Sequence, residues 1–266
     1  MRILLLLLFS SALQAQNLTV YDLSCEHRIN PVGIDAAQPR LSWKLSSPLQ
    51  NTLQTAYQLK VGNWQSEKIT SRQSVLIPYT GTKLQPQTRY SWQVRVWDNH
   101  NNASAWSSPA FFETGIPDWK AEWIEPVQDA TRHIPALMVR KEFNASKKIK
   151  SARAYVTCHG LYELYLNGKK AGDEVLTPGW TSYNNRLQYQ VYDITNLLKK
   201  GKNAIGAILG EGWYRGTMGW VSQWGVYGKK LGLLAQLVIN YSDGTQDIIG
   251  TDASWKGTQN GPIVLN

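Results

Sequence analysis

The sequence predicts an all-β protein of two consecutive sandwiches, and three observations carry that reading. Apolar and polar residues alternate with period two in short runs spread along most of the chain. Turn-forming clusters interrupt those runs at short intervals, and no helix-period segment competes with them. A length of 266 residues divides most naturally into two domains of about 100–130 residues each.

Residues 1–16, MRILLLLLFSSALQAQ, read as a secretory signal peptide: Arg2, an apolar run over residues 3–9, then small residues. That run is too short to span a bilayer. Cleavage is expected after Ala12 or Ala15, and no Cys stands beside either position to carry a lipid anchor. No second long apolar run follows. The mature protein is therefore expected to be exported, periplasmic or extracellular, without a membrane span.

Residues 17–115 are predicted to form the first sandwich, of fibronectin type III kind. Leu41, Trp43 and Leu45 share one face of a strand, and Tyr57, Leu59 and Val61 repeat the pattern. Tyr90, Trp92, Val94 and Val96 form the longest run, with Ser91, Gln93 and Arg95 opposite. Turn chemistry comes from Leu84-Gln85-Pro86-Gln87-Thr88 and from Asp98-Asn99-His100-Asn101-Asn102. No paired carboxylates and no nucleophile–base pair stand out here, so the module reads as a spacer. Residues 116–135 are expected as a linker, whose Trp119 and Trp123 would wedge between the two domains.

The second sandwich is predicted over residues 136–266. Leu137, Val139 and Phe143 open it; Ala154, Val156 and Cys158 continue it; Tyr162, Leu164 and Leu166 lead into Asn167-Gly168. Asn–Gly between alternating runs is a strong hairpin signal, because both central residues must take positive φ. Residues 196–201 read as a short helical turn ended by Gly201. Two buried strands, residues 204–209 and 231–241, and an Asp243-Gly244 turn complete a jelly-roll pattern.

The composition excludes several functions. Net charge is +9, but the basic residues are scattered in pairs such as Lys147-Lys148 and Lys199-Lys200, unlike the concentrated stripe of a nucleic-acid binder. Two Cys in different predicted domains, Cys25 and Cys158, make no disulfide framework. They and four scattered His show no zinc-ligand spacing. Gly210, Gly212, Gly216 and Gly219 lack both the spacing and the βαβ context of a dinucleotide site. The bias is aromatic, with Trp 12 and Tyr 13 against Phe 4; such rings suit sugar-binding faces and small β-sandwich cores equally.

The motifs of the second domain carry a family resemblance. They are Arg140-Lys141-Glu142-Phe143, Gly160-Leu161-Tyr162-Glu163-Leu164, Leu166-Asn167-Gly168, Pro178-Gly179-Trp180-Thr181-Ser182-Tyr183, Tyr189, Tyr192-Asp193-Ile194-Thr195, Gly201-Lys202-Asn203 and Leu209-Gly210-Glu211-Gly212-Trp213-Tyr214. Together they resemble the N-terminal, galactose-binding-like β-sandwich of bacterial α-L-rhamnosidases, glycoside hydrolase family seventy-eight. Tyr90-Ser91-Trp92-Gln93-Val94 and Phe112-Glu113-Thr114-Gly115 are similar to the fibronectin-like module of the same enzymes. Pro-Gly-Trp-Thr with Gly-Glu-Gly-Trp-Tyr is the specific part; family-two glycosidases share only the strand–turn pattern.

The resemblance implies an enzyme that releases terminal α-L-rhamnose with inversion, using a carboxylic acid and a carboxylate about 6.5–9.5 Å apart in a downstream (α/α) barrel. No cofactor is implied for catalysis, and calcium is a possible occupant of the second sandwich. Its partners would be a rhamnose-containing glycan and the catalytic domain, with no nucleic acid. The chain closes on Gly261-Pro262-Ile263-Val264-Leu265-Asn266 before any barrel, so it is expected to be an inactive N-terminal fragment with no catalytic residue. The alternative is a stand-alone secreted carbohydrate-binding or adhesion protein.

Within the second domain, Glu211 sits between two glycines beside Trp213 and reads either as an acid in an apolar pocket or as a loop carboxylate paired with Arg215. Asp173 and Glu174, adjacent on the chain, read as surface charges, with calcium the conceivable ligand. The loop over residues 177–186, TPGWTSYNNR, is the best ligand candidate. Trp180, Tyr183 and Trp213 offer faces for a sugar ring, and Asn184, Asn185 and Arg186 offer hydrogen bonds to hydroxyls. The competing reading packs Trp180 and Tyr183 onto protein.

Overall fold

Apolar residues at every second position pair strand against strand along the first unit, Met1–Pro117. The computed structural model describes residues 18–220 and 222–265, so the signal peptide expected over residues 1–16 lies outside the described residues. Strands β1 (Thr19–Cys25), β2 (Arg40–Ser46), β3 (Gln54–Val61), β4 (Trp64–Gln65), β5 (Ile69–Thr70), β6 (Ile77–Pro78), β7 (Arg89–Asp98) and β8 (Ala110–Glu113) form two antiparallel sheets. One has the order β1-β2-β6; the other runs β4-β3-β7-β8 with β5 also on β3.

Leu41, Trp43, Leu59, Trp92, Val94, Val96 and Phe112 fill this first core, as the alternation predicts. The buried indole of Trp43 donates to Gln54 Oε1 at 3.0 Å, and the Gln54 amide donates to the carbonyls of Ser71 and Gln73. The side-chain polar atoms of Trp43 and Gln54 are thereby paired, whereas the buried Trp92 indole nitrogen has no hydrogen-bond partner among the described residues. Beyond β7, Ser104 and Ser107 dock their own segment: their backbone N–H groups donate to Val96 and Val94 carbonyls, and their hydroxyls accept from Val96 and Val94 N–H. Arg95 lies 5.0 Å from the rings of both Trp97 and Trp106, a cation–π contact that covers that seam.

The second unit, Asp118–Asn266, is a larger antiparallel sandwich. Its strands are β9 (Leu137–Ala145), β10 (Ile149–His159), β11 (Leu161–Leu166), β12 (Lys169–Lys170), β13 (Gln190–Asp193), β14 (Gly201–Gly210), β15 (Thr217–Met218), β16 (Gln223–Trp224), β17 (Gly232–Tyr241), β18 (Gln246–Gly250) and β19 (Lys256–Thr258). A four-stranded sheet β13-β10-β17-β18 faces a five-stranded sheet β12-β11-β14-β9-β19, and β15-β16 form a small hairpin. Leu137, Val139, Ala154, Val156, Leu164, Leu166, Ile205, Leu209, Leu233 and Leu237 meet in the core. β10 and β17 are buried on both faces over most of their length.

The Asn167-Gly168 turn takes φ of 51° and 81°, as a type I′ hairpin requires. Asn203 explains the Gly-Lys-Asn motif opposite it. Its Oδ1 accepts from Lys199 N–H and Asn167 Nδ2, and its Nδ2 donates to the Lys199 and Gly201 carbonyls. An amide has no further capacity beyond those four bonds.

Two expectations change. The helical turn is a 3₁₀ turn over Thr195–Leu197 that ends in extended Leu198. Gly201, at φ 97°, starts β14 and does not cap the turn. The segment read as a linker belongs, from Asp118 onward, to the second unit. Ile124 bridges to Leu233, Glu122 N–H donates to Thr251 O at 2.8 Å, and Lys120 N–H donates to Gln236 Oε1 at 2.6 Å. Trp119 meets Tyr189 edge-on and Trp123 stacks on His159, so both rings have partners inside the second unit.

Candidate functional site

The loop over residues 177–186 leaves the edge of β11 under tight control. Thr177 and Tyr162 form an isolated bridge, and the Thr177 hydroxyl donates to Tyr162 O at 2.7 Å. The Thr177–Pro178 peptide is cis. Beneath it, the buried Tyr162 hydroxyl meets Tyr192 Oη at 3.0 Å and donates to Gln190 Oε1 at 2.9 Å, while Gln190 Nε2 donates to Pro178 O. The loop then closes on itself: Asn185 and Arg186 N–H groups donate to Ser182 O, and the Thr181 hydroxyl donates to Arg186 O at 2.6 Å.

This closure separates the sequence-selected residues. Trp180 is 55% exposed and lies parallel to Trp213, with centroids 6.0 Å apart and planes 6° from parallel. Its indole N–H donates to Tyr227 Oη at 3.3 Å. Asn184, Asn185 and Arg186 are exposed on the same loop. Tyr183 turns inward, only 8% exposed. It packs against Tyr214 and Tyr227 and donates its hydroxyl to Gly179 O at 3.0 Å. Burial pushes its phenol pKa up to about 12. Its face and its polar tip both serve the loop.

Trp213 and Tyr214 ride on a one-turn helix, α1 (Gly212–Arg215). Glu211 precedes it and is sealed, as is Arg215 one turn later; Arg215 Nε stands 3.4 Å from Glu211 Oε1. The pairing reading of Glu211 is the observed one. Sequence reasoning missed the rest of the network. Arg215 donates to Gln128 Oε1, Asp129 O and Arg132 O, at 3.1, 2.5 and 2.6 Å. His133 Nδ1 lies 2.5 Å from Glu211 Oε2, and its Nε2 lies 3.3 Å from the Thr217 hydroxyl. The signal for it, a Gln-Asp-Ala-Thr-Arg-His run more than eighty residues upstream, carries no pattern that pairs it with Arg215.

A chain of ring contacts runs through this end of the sandwich. Trp123 stacks on His159 at 4.1 Å, His159 on Tyr214 at 4.6 Å, and Tyr214 meets Tyr183 edge-on at 5.2 Å. Burial lowers the His159 pKa, with the Glu125 carboxylate acting against it, so the stacked ring favours its neutral form. The arrangement offers rigid, flat apolar faces bordered by amides and carboxylates. Asp173 and Glu174 are both exposed. Among the described residues no group of three or more His, Cys, Asp or Glu could hold a metal ion. Among them, too, no helix is long and apolar enough to cross a membrane.

Two antiparallel sandwiches in series, the second ending in ordered aromatic loops, define a tandem β-sandwich protein with an immunoglobulin-like first module. Residues 147–266 match the α-L-rhamnosidase N-terminal domain, and residues 20–118 match the Rha78A-like, N-terminal immunoglobulin domain. The chain thus carries the N-terminal domains of the α-L-rhamnosidase family. It is 39% identical over 258 residues to an α-L-rhamnosidase of Alteromonas sp. (strain LOR), covering 88% of this chain and 28% of that protein. Among solved structures, the α-L-rhamnosidase from Dictyoglumus thermophilum is 39% identical with a TM-score of 0.82, over 93% of this chain and 30% of that one. The Streptomyces avermitilis enzyme, solved with L-rhamnose, is 26% identical with a TM-score of 0.86, over 93% of this chain and 42% of that one. The chain spans 28% to 41% of the length of the α-L-rhamnosidases it matches in sequence.

Proposed function

We propose that this chain is the exported, glycan-recognising and positioning part of an α-L-rhamnosidase that releases terminal α-L-rhamnose from glycans or glycosides. One observation carries the reading: both domain matches follow in order, and α-L-rhamnosidase structures superpose on 93% of the chain while extending well beyond it. Hydrolysis is assigned to a catalytic domain outside these residues. An inverting pair needs two carboxyl groups about 6.5–9.5 Å apart, with room for a water between them and the bond. Glu211, the acid the motif singles out, has only 2% of its side chain exposed and is engaged by Arg215 and His133. It cannot reach a glycosidic oxygen.

Within the second sandwich, Trp180 and Trp213 supply the stacking faces and Asn184, Asn185 and Arg186 the hydrogen bonds to hydroxyls, with Tyr183 supporting them from below. The experiment has two arms. The complete product of the gene is expected to hydrolyse 4-nitrophenyl α-L-rhamnopyranoside, and residues 18–265 alone are expected not to; turnover by the latter would overturn the assignment. Titration of L-rhamnose, with and without calcium, should give saturable binding that Trp180→Ala weakens by about tenfold, the scale of losing one ring contact. A complete gene product that binds sugar without hydrolysing rhamnosides would favour the stand-alone binding or adhesion reading.

A further inference from the structure

Trp123 lies in the stretch that reads as a linker, yet it is one of the most firmly held exposed rings of the second unit. Ile124 exchanges both backbone hydrogen bonds with Leu233, at 3.0 and 2.9 Å, and Glu122 N–H donates to Thr251 O. One face of the Trp123 ring is covered by His159, 4.1 Å away and 9° from parallel, and Tyr214 backs His159 in turn, 5° from parallel. Trp123 is nonetheless 39% exposed, and it is one of the residues that line a cleft of about 290 Å³, together with Glu122, Glu125, Asp252, Trp255 and Lys256.

The polar wall of that cleft is ordered before any ligand arrives. Lys141 Nζ holds Asp252 Oδ2 at 2.5 Å, and Ser254 donates to Oδ1 through its N–H at 2.9 Å and its hydroxyl at 2.5 Å. Glu125 stands 3.8 Å from Lys230. Glu122 is fixed through its backbone, whose carbonyl accepts from the Thr251 hydroxyl at 2.6 Å. A flat indole held from behind, with carboxylates and an ammonium around it, is complementary to a ring that has a C–H face and a rim of hydroxyls. The volume sits at the small end for ligand pockets and suits one sugar ring. Lys141, Lys230 and Lys256 match the three carboxylates, so the wall offers an anionic sugar no net positive charge to hold it.

We propose that this cleft is a second sugar subsite, distinct from the Trp180 loop. It takes a neutral pyranose with its C–H face on Trp123 and its hydroxyls toward Glu122, Glu125 and Lys256. The first probe, methyl α-L-rhamnopyranoside, rests on the proposed function; the cleft itself does not.

The test is calorimetric titration of the chain with the methyl glycosides of L-rhamnose, D-mannose and D-glucose, and with D-galacturonate. Wild type is compared with Trp123→Ala, Trp123→Phe, Glu125→Gln and Trp180→Ala. At least one neutral glycoside should bind, losing about tenfold in affinity with Trp123→Ala and recovering part of it with Trp123→Phe; galacturonate should not bind. Should Trp123→Ala fail to fold, Glu125→Gln decides, with an expected loss of about threefold or more for one hydrogen bond to a charged group. Binding unchanged by Trp123→Ala and Glu125→Gln, lost only with Trp180→Ala, or absent for every neutral glycoside overturns the subsite. Trp123-dependent binding of the mannoside or glucoside but not the rhamnoside leaves the subsite standing and counts against the rhamnosidase reading.

Discussion

The carboxylate of Glu211 and the guanidinium of Arg215 stand one helical turn apart, 3.4 Å from each other and almost wholly shut off from solvent. A buried ion pair is stabilising only when its remaining donors and acceptors are also satisfied. Here the terminal nitrogens of Arg215 donate into the segment over residues 128–132 and Glu211 meets His133, while Arg215 Nε faces Glu211 Oε1 at 3.4 Å without a hydrogen bond. The Gly-Glu-Gly-Trp-Tyr-Arg motif is thus a clasp: it closes α1 over an upstream segment and presents Trp213 beside Trp180. Burial pulls the Arg215 pKa down, while the Glu211 carboxylate opposes that shift.

Removing the cation should therefore cost far more than a surface pair would. Arg215→Met removes the guanidinium that faces the buried Glu211 and the donor to the Asp129 and Arg132 carbonyls. The expected loss is about 3–5 kcal/mol, the range for breaking a buried pair from one side. Urea denaturation of the purified variant measures it, and a loss below about 1 kcal/mol, typical of an exposed pair, would show the clasp to be incidental. The double variant Arg215→Met with Glu211→Leu should recover part of the loss.

Two glycines flanking β11 should respond differently to alanine. At Gly168 a Cβ meets nothing within 4 Å, although φ is +81°, so Gly168→Ala should cost only the positive-φ penalty of about 1–2 kcal/mol. At Gly160, φ is +128° and a Cβ would lie 2.4 Å from the backbone oxygen of Gly210 and 2.8 Å from a Leu231 methyl. That oxygen belongs to β14 and cannot move without opening the sheet. Gly160→Ala should thus be the more damaging by at least about 2 kcal/mol, at the upper end of ordinary substitutions; equal denaturation midpoints for the two variants would contradict this.

Asn203 gives a third case. Its amide donates to two carbonyls and its oxygen accepts from two N–H groups. Asn203→Asp sets a carboxylate oxygen against the Lys199 and Gly201 carbonyls. Asn203→Ala merely leaves the four partners unmatched, at a cost of about 1–3 kcal/mol for each that stays buried. The aspartate variant should be the less stable of the two at pH 7 and should regain stability as acid protonates it. A pH-independent gap between the variants, measured by thermal unfolding, would refute that account.

How much of this was legible in the residues depends on the range of each interaction. The Asn167-Gly168 hairpin is a local matter of two positive φ values, and the alternation of Tyr162, Leu164 and Leu166 reports directly on which face is buried. The two-sandwich plan follows from such local signals. The Arg215 clasp does not, because its acceptors are chiefly backbone carbonyls, which no residue type advertises. The attachment of residues 118–135 was hidden for the same reason: Ile124 and Glu122 join the second unit through main-chain bonds to Leu233 and Thr251. Tyr183 and Trp180 look alike as loop aromatics three residues apart, and only the closure of the loop on Ser182 turns one inward and leaves the other exposed.

The stacked histidine supplies the last prediction. Burial holds the His159 pKa below its ordinary value of 6.5, with Glu125 pulling the other way. In the unfolded chain the imidazole meets water and binds its proton more readily, so the unfolded state takes up more protons in acid. The stability that His159 contributes is then fully present above about pH 6.5 and is lost as pH falls through the lower folded value. His159→Phe keeps a flat ring between Trp123 and Tyr214 but cannot titrate. The urea midpoint of the wild type should fall more steeply than that of His159→Phe as pH goes from about 7 to about 5. The imidazole proton signal of His159 should titrate with a midpoint below 6.5. A midpoint at or above that value would mean that the ring is protonated between its neighbours, and the two slopes would then converge or reverse.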